Sequence, residues 1–289
     1  MPHPEQKAKW DAAAPNFNRK SSGTRMRVTI PKEPLPATAQ ACVGVRPTLR
    51  SPDAQGASFD QALESMWVAY QPIVQAATGS LFGYEALLRS DEPTLPDPGA
   101  FLDAAERLGR LHDVGRVVRE RASLPMLSLP PPTLLFVNLH AADLNDETLF
   151  SPTSPLTAIA PRVVLEITER ASLDGIVDVP SRVARLREHG FRIAIDDLGA
   201  GYSGLTSFTR LAPDFVKLDM SLIRDIHKTP VKRKVVHFVT ALCRDLGVTV
   251  VAEGIEVIEE RDAILELGCD LLQGYLLGKP GRPFPDACR

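Results

Sequence analysis

Arg192-Ile-Ala-Ile-Asp-Asp-Leu-Gly-Ala-Gly-Tyr-Ser-Gly-Leu205 is the stretch from which the rest of the chain is read. An apolar run, Ile193 to Ile195, stops at two adjacent carboxylates, Asp196 and Asp197, and a loop with Gly199, Gly201 and Gly204 follows. Such a run with turn residues behind it reads as a buried strand ending in a loop. Side-by-side carboxylates at a strand end repel one another unless a cation lies between them. Asp and Gly are equally ordinary in a solvated turn. By itself the stretch leaves both readings open, a metal clasp or a turn.

The same pattern repeats on either side. Upstream, 134–139 and 162–168 read as strands, with a short helix from Asn145 between them and a helix over 179–189 closed by Gly190. Downstream, strands are expected at 215–220, 248–253 and 270–276. A short helix from Ser203 and longer ones at 231–246 and 257–267 fill the connections, the second closed by Gly247. Helices at 97–108 and 113–127 precede this series, and 58–65 is a short helical lead-in. The first two strands, 67–74 and 81–89, are joined by six residues, too few for a parallel crossover, so that pair is antiparallel. Eight apolar strands with amphipathic helices between them predict an α/β fold, a modified TIM (β/α)8 barrel with an antiparallel first strand. A doubly wound open sheet is the alternative. No internal repeat and no glycine-rich nucleotide loop of the GxGxxG or GxxxxGK[ST] type is present.

Composition narrows the function class. The chain has 289 residues, 44% of them hydrophobic, with net charge −3. Residues 1–59 carry nine Lys/Arg against four Asp/Glu, net +5, which leaves −8 on the remainder. An acidic body has no footprint for duplex nucleic acid, and it needs metal ions to bind phosphates. Residues 1–57, with eight prolines, read as a disordered basic tail, with 26–30 as a short strand within it; a solvated leader without function is expected, and contact with an unidentified anionic partner is the alternative. Residues 58–289 form the folded domain. No apolar run is long enough to span a membrane, no secretory leader is visible, and the four scattered cysteines suggest neither zinc nor disulfides. A cytoplasmic protein is expected. His140 sits beside a strand end but reads as a bystander.

In a barrel of this type the site gathers at the carboxyl ends of the strands. Those ends carry Glu85 and Arg89, Asn138, Glu166 and Glu169, Asp196 and Asp197, Lys217 and Asp219, Glu253 and Glu256, and Gln273. An unpaired charge at such a position costs several kcal/mol, so this many convergent carboxylates require cations. All-oxygen ligands with an amide and no His or Cys match Mg²⁺ or Mn²⁺. Adjacent Asp196 and Asp197 can serve two metals, the device used for phosphoryl transfer. Lys217 then orients or acidifies the attacking water, and Arg89 forks a phosphate oxygen. The bland alternative is a salt-bridged barrel interior.

The motifs resemble the EAL domain family of cyclic-di-GMP phosphodiesterases over about residues 64–283. They are Glu85-Ala-Leu-Leu-Arg89 preceded by Tyr70-Gln-Pro-Ile73, Phe136-Val-Asn-Leu139, Glu166-Ile-Thr-Glu169, Asp196-Asp-Leu-Gly-Ala-Gly-Tyr202, Lys217-Leu-Asp219, Ala252-Glu-Gly-Ile-Glu256 and Gln273-Gly-Tyr-Leu276. The resemblance implies that Glu85, Asn138, Glu166 and Asp196 hold one metal, and that Asp196 bridges to a second, shared with Asp197. Lys217 would contact the nucleophilic water, and Glu253 would be a general base or second-metal partner. Gln71, Leu87, Arg89, Asp219, Glu256 and Gln273 would position substrate, and Glu169, Gly199, Gly201 and Tyr202 would form the supporting loop. The implied reaction opens the cyclic dinucleotide to linear 5′-pGpG through water activated by two Mg²⁺ or Mn²⁺ ions, with Ca²⁺ inhibitory, in a homodimer. The sequence departs from the family in Leu198-Gly-Ala-Gly-Tyr-Ser-Gly204, where the family commonly has an aromatic and two further hydroxyls. A non-catalytic cyclic-di-GMP receptor and a protein-interaction scaffold are the competing expectations.

Overall fold

Runs of Val, Ile, Leu and Phe buried from both sides have to be covered on both sides, and here they close on themselves. A computed structural model describes residues 52–168, 173, 175–176, 178–200, 204–282 and 284–287. All of them belong to the unit Leu49–Arg289, and the expected tail up to residue 51, with its strand at 26–30 and any partner for it, lies outside the described residues. The eight strands are β1 (Trp67–Gln75), β2 (Leu81–Arg89), β3 (Leu134–Asn138), β4 (Val163–Thr168), β5 (Arg192–Leu198), β6 (Phe215–Leu218), β7 (Thr249–Ala252) and β8 (Leu271–Leu272). They form a closed barrel in chain order. β1 pairs antiparallel with both β2 and β8, and the other neighbours are parallel, so the barrel with a reversed first strand is what the chain adopts, not the open sheet.

The helices are α1 (Pro52–Ser65), α2 (Pro98–Arg107), α3 (Leu111–Met126), α4 (Val179–Glu188), α5 (Gly204–Leu211), α6 (Met220–Ile223), α7 (Pro230–Leu246) and α8 (Ile258–Glu266). Local chemistry sets their ends. Asp97 caps α2 by accepting from the Ala100 amide at 2.8 Å, and Gly247 closes α7 at φ +71°. Three expectations need correction. α1 starts at Pro52, earlier than the lead-in at 58–65, and buries Phe59 and Ala62. The helix expected from Asn145 is instead a pair of 3₁₀ turns, Ala141–Asn145 and Glu147–Phe150, opened by side-chain caps from His140 and Asp146. β8 is two residues long rather than seven, because past Gln273 the Ile255 amide takes the Gln273 carbonyl and draws the chain off the ladder.

Period-two alternation layers the interior. Ile73, Leu134, Phe136, Val164, Ala194, Phe215, Val251 and Leu271 form one apolar cluster, with the rings of Phe136 and Phe215 edge to face at 5.3 Å. Two residues further toward the carboxyl ends the same strand faces turn polar: Asn138, Glu166, Asp196, Lys217, Glu253 and Gln273. β1 runs the other way, so its polar residue, Gln71, comes two residues before Ile73 and pairs in register with Glu85. The lower layer is a hydrophobic floor, and the polar layer rests on it.

α3 approaches the turn after β3 closely enough to require a glycine. A Cβ on Gly115 would lie 2.4 Å from Asp143 Oδ2. Through that gap Arg119 reaches both Asp143 and Asp146 at 3.0 Å, and Arg116 takes Asp146 as a fork at 2.9 and 3.0 Å. Burial would push the Asp146 carboxyl up, but Arg116 and Thr148 hold it well below the usual carboxylate range. This network anchors the loop that leaves Asn138.

Candidate metal and substrate site

Lys217 is the centre of the polar layer. It projects from β6, 1% exposed, and its Nζ lies 2.7 Å from Glu166, 2.7 Å from Glu253, 3.1 Å from Asp196 and 3.3 Å from Glu85. Glu85 is held further by two amides: Gln273 Nε2 donates to its Oε2 at 2.6 Å and Asn138 Nδ2 to its Oε1 at 3.2 Å. Gln273 Nε2 also donates to Gln71 Oε1 at 3.3 Å, and Gln71 donates to the Gly278 carbonyl at 3.1 Å. Six strands and the residues just past two more thus deliver one connected polar set, as the strand-end reading expects.

Asp196 and Asp197 needed a special backbone. Adjacent strand residues point to opposite faces, yet Asp196, Asp197 and Glu253 each offer an oxygen within 4.8 Å of the others. Asp197 achieves this in the left-handed region, φ +57°, where β5 slips register against β6 between Ile195 and Leu198. Gly199 follows at φ +105°, and a Cβ there would sit 2.5 Å from Leu222 Cδ1. Leu198 belongs to β5, paired with Leu218, so the loop begins at Gly199. Glu169, Gly201 and Tyr202, expected in the supporting loop, lie outside the described residues.

The electrostatics are those of an acid-rich site lacking counter-charge. Four carboxylates meet one ammonium, and two like charges about 4 Å apart cost roughly 4 kcal/mol even with effective protein screening. Burial pushes the Glu166 carboxyl well up, with Lys217 offsetting part of this and Glu85 and Asp196 adding to it. Burial likewise pushes Glu253 up to about 8 against the pull of Lys217. For Lys217 burial would favour the neutral amine, but Asp196, Glu166, Glu253 and Glu85 outweigh it and hold the ammonium. The oxygens are under-used. Glu166 Oε2 has no hydrogen-bond partner, and Glu166 Oε1 and Asp196 Oδ1 meet Lys217 only off the direction of a hydrogen bond. Unsatisfied buried oxygens in an all-oxygen set fit a hard divalent cation.

A pH dependence follows. A carboxyl with a raised native value binds more protons folded than unfolded, so its contribution is complete below the usual 4.5 and is lost as pH rises toward the folded value. Lys217, held charged, contributes nothing to the slope in that window. The melting temperature of the metal-free protein should therefore fall between about pH 5 and pH 8. Divalent cations must displace those protons, so the stabilisation by Mn²⁺ should grow over the same range. A scanning-calorimetry series with chelator and with Mn²⁺ checks both signs; parallel curves would contradict them.

Two clefts flank the set. One of about 260 Å³ is lined by Gln71, Glu85, Asp197, Glu253 and Gln273 together with Asp219, Glu256, Met220 and Tyr275. The other, about 750 Å³, includes Leu87, Arg89, Asn138, Leu102, Val114 and Ile176. Leu87 and Arg89 therefore stand apart from the carboxylates, in the larger cleft, and Arg89 Nη1 donates to the Leu88 carbonyl. Asp219 caps α6 through the Ser221 amide at 3.0 Å. Sequence reasoning missed Arg224, which grips Glu256, and the Arg116/Arg119 network. Its legible signal was a matching spacing of three in Arg116/Arg119 and Asp143/Asp146. His112, Asp143 and Asp146 also cluster, but the two arginines already neutralise those carboxylates.

Barrel and site define a TIM-type barrel with a divalent-cation centre at its carboxyl end. Residues 57–280 match the EAL domain, and the chain belongs to that family. It is similar to the cyclic di-GMP phosphodiesterase RocR of Pseudomonas aeruginosa, 32% identical over 234 residues, 76% of this chain and 59% of RocR. It spans 26–30% of three longer relatives, among them a signaling protein of Caulobacter vibrioides, 35% identical over 219 residues, 74% of this chain and 27% of that protein. Among solved structures, the PaMucR phosphodiesterase in complex with c-di-GMP aligns with TM-score 0.71 at 31% identity, covering 78% of this chain and 97% of that one. Klebsiella pneumoniae BlrP1 with manganese and c-di-GMP aligns with TM-score 0.66 at 34% identity, covering 75% and 56%.

Proposed function

We propose that this protein hydrolyses cyclic-di-GMP to linear 5′-pGpG and so lowers the level of that messenger. The observation that carries the reading is the set of under-satisfied carboxylates around Lys217, between two clefts that suit the two halves of a dinucleotide. Glu85, Asn138, Glu166 and Asp196 would hold one cation, and Asp196, Asp197 and Glu253 a second, with Mg²⁺ or Mn²⁺ the fitting ions. When bound, such ions acidify water and neutralise charge on the phosphate. The chain's own residues do the rest. Lys217 presents an ammonium that orients the water, and Glu253, 2.7 Å from that ammonium, is placed to receive a proton through the oxygen not given to a cation. Gln273 fixes Glu85 and is itself tied to Gln71 within the polar layer, while Arg89 and Leu87 in the larger cleft, and Asp219 and Glu256 in the smaller, position the ligand. Chromatography of cyclic-di-GMP incubated with purified protein and Mn²⁺ should reveal 5′-pGpG, reduced with Ca²⁺ and absent for Glu85→Ala. Tight binding without product in saturating Mn²⁺ would replace this reading by the receptor.

The protein is further proposed to act in the cytoplasm, in keeping with the free buried thiols of Cys243 and Cys269 and with the lack, among the described residues, of a helix long and apolar enough to cross a membrane. A homodimer is proposed on the outer face of α7. Val231, Val235, Phe238 and Leu246 are exposed there, 70%, 41%, 71% and 58%, and Leu242 completes the stripe. The stripe is symmetric about Phe238 and Val239: an antiparallel second copy sets Val231 against Leu246 and Val235 against Leu242. Lys234 and Asp245, about three turns apart on one flank, then face each other across the two-fold axis. Phe238→Glu should weaken self-association by about 30-fold, read by analytical ultracentrifugation; an unaltered dimer would exclude this face.

A further inference from the structure

Glu256 lines the smaller cleft beside Met220 and Tyr275, and its carboxylate is not left to swing freely. Arg224 grips it as a fork, Nη1 to Oε2 at 2.7 Å and Nη2 to Oε1 at 2.5 Å. The two backbones that carry this pair are themselves clamped. Buried Glu260, 1% exposed, accepts from the Asp225 amide at 2.9 Å with one oxygen and from the Glu256 amide at 3.1 Å with the other. Lys232, in the first turn of α7, donates to the carbonyls of Ser221 and Arg224 at 2.6 Å each and fixes the other side of the Arg224 turn. An exposed ion pair is ordinarily worth little. This one is bidentate and anchored at both ends, which is the construction of a held acceptor rather than of a loose surface contact.

The cleft chemistry says what the acceptor is for. Beyond the carboxylates next to Lys217 and the amides of Gln71 and Gln273, which donate to the Gly278 carbonyl, to Gln71 and to Glu85, its charged side chains Asp219 and Glu256 are acceptors, whereas Met220 and Tyr275 offer polarizable and aromatic surface, 48% and 56% exposed. Such a cleft takes a flat ring with N–H donors on its edge. Guanine carries ring and exocyclic N–H donors side by side, and adenine lacks the ring donor. We infer that Arg224 is a positioning residue that sets base selectivity, by holding the Glu256 carboxylate where it accepts from the donor edge of a guanine. The inference rests on the cyclic-di-GMP reading. Asp219 belongs to the cap of α6 through the Ser221 amide, whereas Glu256 is the acceptor of this cleft that an arginine fork holds in place, each oxygen keeping a second lone pair for the ligand.

The test is steady-state hydrolysis of cyclic-di-GMP with Mn²⁺ by wild type, Arg224→Ala, Arg224→Lys, Glu256→Ala and the Arg224→Ala/Glu256→Ala double variant. Cyclic-di-AMP serves as a competitor and bis(p-nitrophenyl) phosphate as a substrate without a base. Arg224→Ala should raise KM for cyclic-di-GMP by about ten-fold, with a smaller change in kcat. The preference for cyclic-di-GMP over cyclic-di-AMP, and the kcat/KM ratio of cyclic-di-GMP to the baseless substrate, should fall by about the same factor. Arg224→Lys should recover part of the KM, and the double variant should be no worse than the poorer single one. A KM that does not move, additive single effects, or equal losses on the baseless substrate would overturn the inference. Wild-type turnover separates the two levels: if it is absent, the cyclic-di-GMP reading falls and takes this inference with it. If it is present while Arg224→Ala is silent, the inference falls alone.

Discussion

Replacing Lys217 by Met is expected to destabilise the metal-free protein by about 3–5 kcal/mol, the range for removing one partner of a buried ion pair. Lys217 is the sole cation touching Glu85, Glu166, Asp196 and Glu253 among the described contacts, at 2.7–3.3 Å. Without it the carboxylates face each other across a cavity the size of a side-chain head. The chain can then relieve the repulsion only by taking up protons or by opening the carboxyl end of the barrel. Urea denaturation in chelator should show the lowered midpoint. Mn²⁺ should recover much of the loss, since cations that bind only the folded form stabilise by mass action, yet turnover should not return because no ammonium is left to hold the water. Equal midpoints for variant and wild type in chelator would contradict the electrostatic account.

Asp196→Asn should move stability the opposite way. The substitution keeps shape and removes one of the carboxylates crowded around Lys217, so the metal-free protein should be as stable as wild type or more so. Activity should fall by at least about 10³-fold, because under the proposed function Asp196 would help hold the cations, and the loss of its carboxylate would remove about 4 kcal/mol of transition-state stabilisation. A functional site that carries net repulsion in its resting form is a common source of such a trade between stability and activity. Circular-dichroism melts and product chromatography on the same sample read both signs. An unstable but active variant would reverse the account.

These opposed effects arise from a feature that was only partly legible. The strand ends named nearly every member of the polar layer in advance, because two-residue periodicity carries each strand from the apolar floor to a polar group above it. Gln71 fits the same rule once β1 is reversed, and the short β1–β2 connection had required that reversal. What could not be read was the aim of the side chains. Lys217 was expected to point at water, and its second role, as internal counter-ion to four carboxylates, depends on a ring closing in three dimensions. Asp197 looks like any strand residue in a string of letters. Its left-handed φ of +57° and the register slip beside it, which bring it to the same side as Asp196, are tertiary facts.

Other misses have local causes. The helix expected from Asn145 became 3₁₀ turns because His140 and Asp146 cap twice within a few residues, leaving no room for an α-helical turn between them. β8 shrank because its pattern of apolar residues continues past the point at which Ile255 captures the chain. Arg224 and Glu256 are 32 residues apart, and nothing in composition or periodicity couples them. Distances of that kind are set by how two loops end on neighbouring strands, which is why the carboxylate set was legible and the held acceptor beside it was not.

The central claim is that the carboxylates around Lys217 direct water onto one phosphodiester of cyclic-di-GMP. Mass spectrometry of the product formed in heavy-oxygen water with Mn²⁺ tests it in one measurement. Linear pGpG carrying a single heavy oxygen on its 5′-phosphate is the predicted result. Recovery of the intact cyclic dinucleotide at saturating Mn²⁺, or of a linear product without the label, would contradict it.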